Sequence, residues 1–569
     1  MISRLGCIGV VALCMMVTAA GSSPGSPGAQ APSGTWAPAG SMAQARTGAS
    51  AALLQDGTIL IAGGAKSGEP LASVEVFNGG SFAATESMLL ARWNAAAVTL
   101  KDGRILIAGG STSSGPTSET ELYNPATRSW TIGDSMLASR SGHTATLLPD
   151  GRVLIAGGEG SGAPGNTLEI FNPATGSFSP AGTLTSSRKN HAAVLLSDGR
   201  VMIVGGSDGN QILNSSEIVD PAAGTVSSGP SLSTARAGHS ATMLLNGDVL
   251  VAGGSDGSND LASAELYSPS ARTPEFAAAA NMLSARSGHS AFLLPHNAAV
   301  LMVGGSSASA ELYQAWNSAF IATGSPATPR PGAAGTPLAA DGLLLLAGGR
   351  TPAAELYSFP TIKTDKDDYL PGARAIISGA GWAPGEAVTL VFTEVPKRHP
   401  DQFLKLTADA SGNLYDDQWA PERHDLGIRF YVTAIGSQSG SQAQMTFTDG
   451  DSTWTGNVST DWSTAGNWST NSVPLASDKA IIPAGRARYP VISGSKKSIG
   501  SLQIDSGASL TVSGDLNLSK TASSSDSVVI SGTLDWTSGA MALAGSNVSL
   551  TVNSGGLFSV RSGTNGLPA

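Results

Sequence analysis

Gly-Gly pairs recur at regular intervals along the first 360 residues of this chain, seven of them at 63–64, 109–110, 157–158, 205–206, 253–254, 304–305 and 348–349. Successive pairs are 44 to 51 residues apart, a period typical of the blades of a β-propeller. Each unit contains an arginine, a short alternating strand, a tight turn that is usually Asp-Gly or Asn-Gly, an apolar strand ending in Gly-Gly, a variable loop and two further strands. The pattern predicts an all-β fold of seven four-stranded blades.

The two ends of the repeat array complete each other. Trp130 stands ten residues before Arg140, and Trp36 stands ten residues before Arg46 although no unit precedes it. The seventh unit stops after "AAELYSF" and lacks its fourth strand. The segment around Trp36 is therefore predicted to supply that strand and close the ring, which removes the exposed sheet edges of an open array.

These repeats resemble the kelch family in its galactose-oxidase-like, seven-bladed form, over residues 34–360. The resemblance implies the fold and leaves the function open, because kelch propellers include enzymes, adhesins and protein-interaction modules. Galactose-oxidase-like enzymes use copper and a cross-linked Cys-Tyr cofactor. The only cysteines here are Cys7 and Cys14, both in a predicted signal peptide, so the resemblance does not carry that chemistry to this chain.

One arginine and one glutamate recur in every unit, the glutamate in the predicted third strand. In a strand, each glutamate shares a face with a bulky residue two positions later, so its carboxylate needs a buried partner. We expect a structural Arg–Glu pair in or between blades; the alternative is an anion-binding ring of arginines at the channel mouth. The residues are Arg46, Arg92, Arg140, Arg188, Arg236, Arg286 and Arg330, with Glu75, Glu121, Glu169, Glu217, Glu265, Glu311 and Glu355.

Four histidines lie three residues after their arginines: His143, His191, His239 and His289. Identical residues on a circle do not supply the different roles that catalysis needs, so we expect them to be structural, with a shared metal site as the alternative. Asp256, Asn259 and Asp260 offer oxygen ligands for calcium at a spacing that matches no standard loop. Trp93-Asn94 and Pro295-His296-Asn297 interrupt the repeat and mark either a local site or neutral drift.

The regions outside the repeat have other compositions. Residues 1–20 are typical of a cleaved signal peptide, and 21–33 of a flexible leader. Residues 361–449 resemble a bacterial immunoglobulin-like β-sandwich, in which Asp365, Asp367 and Asp368 form either a calcium site or an acidic linker. Residues 450–569 resemble the first rungs of a parallel β-solenoid, in which Trp454, Trp462 and Trp468 form either a capping core or a platform for sugars.

Composition narrows the possible functions. The net charge of −10, with no basic stripe, argues against a nucleic-acid partner, and no segment after the signal is apolar enough to span a membrane. We expect a secreted or cell-surface monomer of bacterial type that needs no cofactor, calcium being the one candidate. Its predicted function is binding or adhesion through the propeller, to an extracellular glycan or protein. The alternatives are a carbohydrate-active propeller enzyme, of oxidase or isomerase type, and a structural spacer of the extracellular matrix.

Overall fold

The computed structural model describes residues 34–160, 165–269, 271, 273–369, 372–395, 397–422, 428–449, 451–464, 467–468, 473–474, 479–493, 497–499, 501–514, 516–519, 528–537, 541–544, 550–552 and 556–560. The predicted signal peptide and leader, with Cys7 and Cys14, lie outside these residues. Strands dominate throughout, and the described residues contain a single short 3-10 helix, Ala315–Asn317. In the described part of the chain we find no helix long and apolar enough to cross a membrane.

The repeat region contains seven four-stranded antiparallel sheets. Sheet 1 contains Ser50–Leu53, Ile59–Ala62, Val74–Phe77 and Phe82–Thr85, and sheet 2 contains Ala96–Thr99, Ile105–Ala108, Thr120–Asn124 and Ser129–Ile132. Sheet 3 contains Thr144–Leu147, Val153–Ala156, Thr167–Asn172 and Ser177–Thr183, and sheet 4 contains Ala192–Leu195, Val201–Val204, Ser216–Asp220 and Thr225–Ser228. Sheet 5 contains Ser240–Met243, Val249–Ala252, Ala264–Tyr267 and Phe276–Ala278, and sheet 6 contains Ser290–Leu293, Val300–Val303, Ala310–Gln314 and Ala319–Ala322. Sheet 7 contains Ala333–Pro337, Leu343–Gly348, Ala353–Ser358 and the N-terminal strand Thr35–Ser41.

The seven sheets form a closed ring. The first strand of each sheet contacts the first strand of the next, and the first strand of sheet 7 contacts that of sheet 1. Closure uses the N-terminal strand, in which Trp36 is the register partner of Tyr357 and Pro38 that of Glu355. The indole N–H of Trp36 also donates to the Gly324 carbonyl at 2.7 Å. The predicted all-β propeller is confirmed.

The second strand of each sheet forms the centre of the core. Ile59–Ala62 and Val153–Ala156 are buried along their whole length, as expected for β-branched and aliphatic residues covered by a sheet on each side. The hydrophobic clusters accordingly join neighbouring sheets, as where Val98 and Leu106 of sheet 2 pack with Ile155 and Phe171 of sheet 3. The strand order therefore fixes where each loop emerges.

The two ends of the ring carry different loops and turns. Each first strand starts near its arginine and runs to the tight turn, and the second strand returns to the Gly-Gly pair. The arginines and the variable loops after Gly-Gly thus lie at one end, which we call the loop end. The tight turns and the turns between third and fourth strands lie at the other, which we call the turn end.

Residues 361–449 form a two-sheet unit around one core. The smaller sheet contains Lys363–Thr364, Ile377–Gly379 and Leu414–Asp416. The larger contains, in spatial order, Asp368–Tyr369, Gln442–Asp449, Arg429–Gly436, Ala387–Val395 and Gln402–Thr407. Between the sheets, Trp419 stacks on Phe392 with a centroid separation of 4.2 Å.

Residues 451–560 contain parallel strands that stack in three sheets. The first sheet contains Asp451–Thr453, Lys479–Ile482, Ser501–Ile504, Val528–Ile530 and Leu550–Val552. The second contains Val491–Ile492, Ser509–Val512, Thr533–Trp536 and Leu557–Val560, and the third contains Lys497–Ile499, Leu516–Ser519 and Met541–Ala544. Trp454, Trp462 and Trp468 pack together at the start of this core, 0%, 0% and 2% exposed. The sugar-platform reading of these tryptophans is therefore wrong, because no ring face is open to a ligand.

The two-sheet unit docks on the turn end of the ring. Asn297, in the turn of sheet 6, is 1% exposed and donates from Nδ2 to the carbonyls of Pro360 at 2.7 Å and Gln442 at 3.0 Å. The indole N–H of Trp316 donates to Gln442 Oε1 at 2.8 Å. The segment Pro295-His296-Asn297, which interrupts the repeat, is thus a joint between units, and the loop end faces away from it.

Candidate functional site at the loop end

The recurring arginines and glutamates form buried pairs inside the sheets. Arg188 Nη2 lies 2.7 Å from Glu217 Oε1, and the same pair forms in all seven sheets. Six of the seven guanidinium groups also donate to the carbonyl of the first glycine of their Gly-Gly pair. Each arginine is at most 2% exposed, so the structure does not present them as an anion-binding ring at the mouth.

The second carboxylate oxygen of each glutamate holds the chain that enters the sheet. Glu217 Oε2 accepts the backbone N–H of Thr185 at 2.7 Å, and the other six glutamates accept the equivalent N–H in the same way. Burial lowers the pKa of Arg188, and the charge of Glu217 opposes that shift. These fourteen residues are occupied by the scaffold and offer no group to a ligand.

The four histidines are wedged between neighbouring sheets. A β-carbon on Gly109 of sheet 2 would lie 2.8 Å from Cε1 of His143, and one on Gly158 of sheet 3 would lie 2.8 Å from its Cβ. Gly109 and Gly158 have φ of 61° and 93°, a region that favours glycine. The Gly-Gly pairs thus provide both the turn and the space for the imidazole.

The hydrogen bonds of these histidines depend on the preceding sheet. His191 Nε2 bonds Thr144 Oγ1 at 2.9 Å and His289 Nε2 bonds Ser240 Oγ at 3.0 Å. For His143 and His239 the equivalent neighbours are Ala96 and Ala192, and both ring nitrogens are buried without a partner. Desolvation, with a nearby arginine second, lowers the pKa of His143 to about 4 and the pKa values of the other three to about 3. The imidazoles are therefore neutral at neutral pH.

The predicted calcium ligands hold their own loop. Asp256 Oδ1 accepts the backbone N–H groups of Ser258 and Asn259, at 2.8 and 2.7 Å. Hydrogen bonds from Ser287 and Ser306 lower the pKa of Asp260. In the two-sheet unit, Asp365 Oδ1 accepts the hydroxyl of Tyr369 and the Ile376 N–H. Among the described residues, no group of three or more His, Cys, Asp or Glu side chains is placed to hold a metal ion.

A ring of residues, joined by backbone hydrogen bonds at five of its seven junctions, surrounds the channel mouth at the loop end. It is formed by the residue two positions after each arginine, and all seven have φ between 51° and 65°. Asn94 N donates to Gly48 O at 2.8 Å, and Gly238 N donates to Asn190 O at 2.9 Å. We call this set the mouth ring: Gly48, Asn94, Gly142, Asn190, Gly238, Gly288 and Gly332.

Two members of the mouth ring are not glycine. Asn94 and Asn190 both have φ of 51°, a left-handed conformation that non-glycine residues seldom adopt. Both are exposed, and in the described part of the chain neither carboxamide has a hydrogen-bond partner. Asn94 Oδ1 lies 2.2 Å from where a β-carbon on Gly48 would stand. Each amide thus projects over the mouth with two donors and one acceptor oxygen unused.

The residues around these asparagines include an indole ring, an ion pair and hydroxyl groups. Trp93 is half-buried, and Lys189 forms an ion pair with Glu159. Ser111 and Ser141 bond through their hydroxyl groups at 2.9 Å. A cavity of about 190 Å³ opens beside Lys189, the residue before Asn190, and its lining includes Gly158, Glu159, Ser187, Ser207 and Asp208.

Sequence reasoning singled out Trp93-Asn94 but missed Asn190 and the ring that joins them. The available signal was the position two after each arginine, which holds glycine five times and asparagine twice. The repeat alone did not show that this position has a positive φ, which is why an asparagine there is unusual.

Comparison with known proteins gives the class of fold. Kelch motifs match residues 92–137 and 188–233, and residues 453–565 match a domain of unknown function (DUF8693). The repeat region is a kelch β-propeller. No curated protein sequence matches this chain.

Two solved structures are similar in fold. A fungal alcohol oxidase of the AA5 family, in complex with copper, is 15% identical with a TM-score of 0.50, covering 73% of this chain and 99% of that one. The structure of YjhT is 16% identical with a TM-score of 0.40, covering 49% of this chain and 98% of that one. At these identities the likeness concerns the fold alone, and the described side chains do not form a site that fits copper.

Proposed function

We propose that this protein is an exported carbohydrate-binding protein whose propeller recognises glycans at the mouth of its loop end. The observation that carries the proposal is the pair Asn94 and Asn190. At five equivalent positions the ring uses glycine, yet here two exposed asparagines hold a left-handed backbone with free carboxamides. Strained residues of this kind cluster at binding sites.

The chemistry of the mouth fits a sugar. Carboxamides donate to and accept from vicinal hydroxyl groups, and the amphipathic indole of Trp93 offers a face for the C–H side of a pyranose. The polar cavity beside Lys189 would take a further ring or branch. An uncharged ligand also fits beside Asn190, because the neighbouring Lys189 is already paired with Glu159.

The arrangement of the other units supports a role for the propeller as the binding domain at the free end of the protein. The joint at the turn end leaves the loop end free. In this proposal the signal peptide exports the protein to the cell surface or medium, the two-sheet unit is immunoglobulin-like, and the parallel-strand unit is a solenoid, both acting as a stalk. The protein acts as a monomer without a resident cofactor.

A glycan array probed with the full chain tests the proposal. We expect selective binding that is lost in the N94G/N190G double variant and reduced in Trp93→Ala. Arg128→Gly is the matched control, because Arg128 is also a left-handed, exposed residue (φ 55°) but lies at the turn end. Absence of glycan binding, or binding that N94G/N190G leaves unchanged, would overturn the proposal and favour the spacer or a protein ligand.

The enzyme alternative rests on one observation, the fold shared with an alcohol oxidase. Assay of the full chain for alcohol oxidation with added copper addresses it directly. Turnover that depends on the mouth residues would make the propeller an enzyme, whereas glycan binding without turnover supports the binding protein.

A further inference from the structure

Each sheet of the ring has one equivalent site at its buried glutamate, which we call a groove, and the composition of the seven grooves differs in an informative way. One wall is the residue three positions before each arginine, whose N–H donates to the buried glutamate. The other is the residue paired with that same glutamate across the outer strands. The pairs are Ala43 with Ala84, Leu89 with Ile132, Leu137 with Pro180, Thr185 with Ser228, Ser233 with Ala278, Leu283 with Ala322, and Ala327 with Pro38.

Only one groove combines two large aliphatic side chains. Leu89 is 61% exposed and Ile132 is 72% exposed. Leu89 N donates to Glu121 Oε2 at 2.6 Å, and Ile132 is the register partner of Glu121, which brings the two residues to one place. The equivalent position in the groove of sheet 3 holds Leu137, which is 58% exposed. Large aliphatic residues grouped in this way mark interaction sites more often than isolated ones do.

The same two grooves also carry acidic residues at a further equivalent position of the repeat. Six residues before each arginine the chain has Gly40, Glu86, Asp134, Gly182, Pro230, Ala280 and Gly324. Glu86 and Asp134 are both exposed, and among the described residues neither has an ion-pair partner. Glu86 is tied to the first groove, because its carbonyl accepts the indole N–H of Trp130, two residues before Ile132, at 2.9 Å.

We propose that these two grooves, which we call the rim surface, bind an extended segment of another protein that carries both apolar and cationic side chains on one face. The aliphatic walls would take the apolar side chains, and Glu86 and Asp134 would pair with lysine or arginine. Charge complementarity favours a basic segment, since an acidic one would face two unpaired carboxylates. Exposed leucine and isoleucine offer nothing to sugar hydroxyls, so this surface is distinct from the mouth and independent of the proposed glycan binding.

Fluorescence anisotropy with synthetic peptides tests the rim surface on the full chain. The probe is a monomeric Leu-Lys peptide in which leucine and lysine take turns at every second position, with serine between them, so that both face the same side. It is compared with Ser-Lys and Leu-Glu peptides of equal length and the same spacing. We expect the Leu-Lys peptide to bind at least about tenfold more tightly than either. The double variant L89S/I132S should lose the binding, and E86Q/D134N should weaken it.

Leu283→Ser is the matched control, because Leu283 holds the same position in a groove whose acidic residue is replaced by Ala280. It should leave the affinity unchanged, and thermal unfolding of each variant verifies the fold. Equal binding of the Ser-Lys peptide, no binding of the Leu-Lys peptide, or retention of affinity in L89S/I132S would overturn the proposal.

Discussion

At the residue scale, the recurring arginines and glutamates serve the scaffold. Every arginine meets the glutamate of its own sheet, which the regular spacing of the two residues made predictable. The orphan nitrogens of His143 and His239 were not predictable, because they depend on whether the preceding sheet starts its first strand with alanine or a hydroxyl residue.

The buried pair Arg188–Glu217 gives the first prediction. Glu217→Gln keeps the shape of the side chain but leaves a buried guanidinium without its counter-charge, which we expect to cost about 3–5 kcal/mol of unfolding free energy. Asp198→Asn removes an ion pair with Arg200 that is 46% and 39% exposed, and should cost at most about 1 kcal/mol. Denaturant titration of both variants measures the difference, and equal losses would contradict a buried structural role.

The orphan imidazole of His239 gives the second prediction. Ala192→Ser places a hydroxyl where Thr144 and Ser240 bond the histidines of their neighbouring sheets, and we expect a gain of about 1 kcal/mol in unfolding free energy. Thr144→Ala should produce a loss of similar size. If Ala192→Ser destabilises the protein, the geometry of this contact is not shared between sheets.

The third prediction concerns pH. Because burial lowers the histidine pKa values from 6.5 to about 3–4, the unfolded chain binds these protons first as pH falls. Stability should be complete above about pH 6.5 and decline below it, by up to about 1.4 kcal/mol per pH unit for each histidine. Unfolding measured between about pH 7 and pH 5 checks this, and His239→Gln should show a shallower decline.

At the element scale, the closing strand decides whether the ring is complete. The sequence predicted its partner because Trp36 stands ten residues before an arginine, as an aromatic residue does after five of the first six units, with Val226 at that place in the fourth. In the structure Trp36 packs on Tyr357 with a centroid separation of 5.0 Å, as Tyr123 and Trp130 do in sheet 2. The mouth ring is also an element, but one made of backbone hydrogen bonds between sheets, which side-chain patterns do not encode.

Trp36→Ala tests the closing strand. We expect a loss of about 3 kcal/mol from the removed ring contact and the lost bond to Gly324. Trp93→Ala is the control, since Trp93 is half-buried as well but makes no ring contact with another described aromatic residue, and should cost less than about 1 kcal/mol. The two variants should separate stability from glycan binding; a large loss of stability in Trp93→Ala would make it a core residue instead.

At the scale of the whole molecule, the proposed function depends on the difference between the two ends of the ring. The sequence marked Asn297 as part of a segment that interrupts the repeat, but it did not show its partner, because Gln442 is 145 residues away and belongs to no motif. Their contact assigns the turn end to the scaffold. Under the proposed function, the loop end, where Asn94 and Asn190 hold their left-handed backbone, is the recognition surface.

Hydrogen–deuterium exchange of the full chain, with and without the glycan that the array selects, tests this account most directly. The account predicts slower exchange at the loop end, in residues 111–119, 189–190 and 207–212, and no change in the turns at 56–58 and 125–128. Protection confined to the turn end or to residues 451–560, or none at saturating glycan, would contradict it.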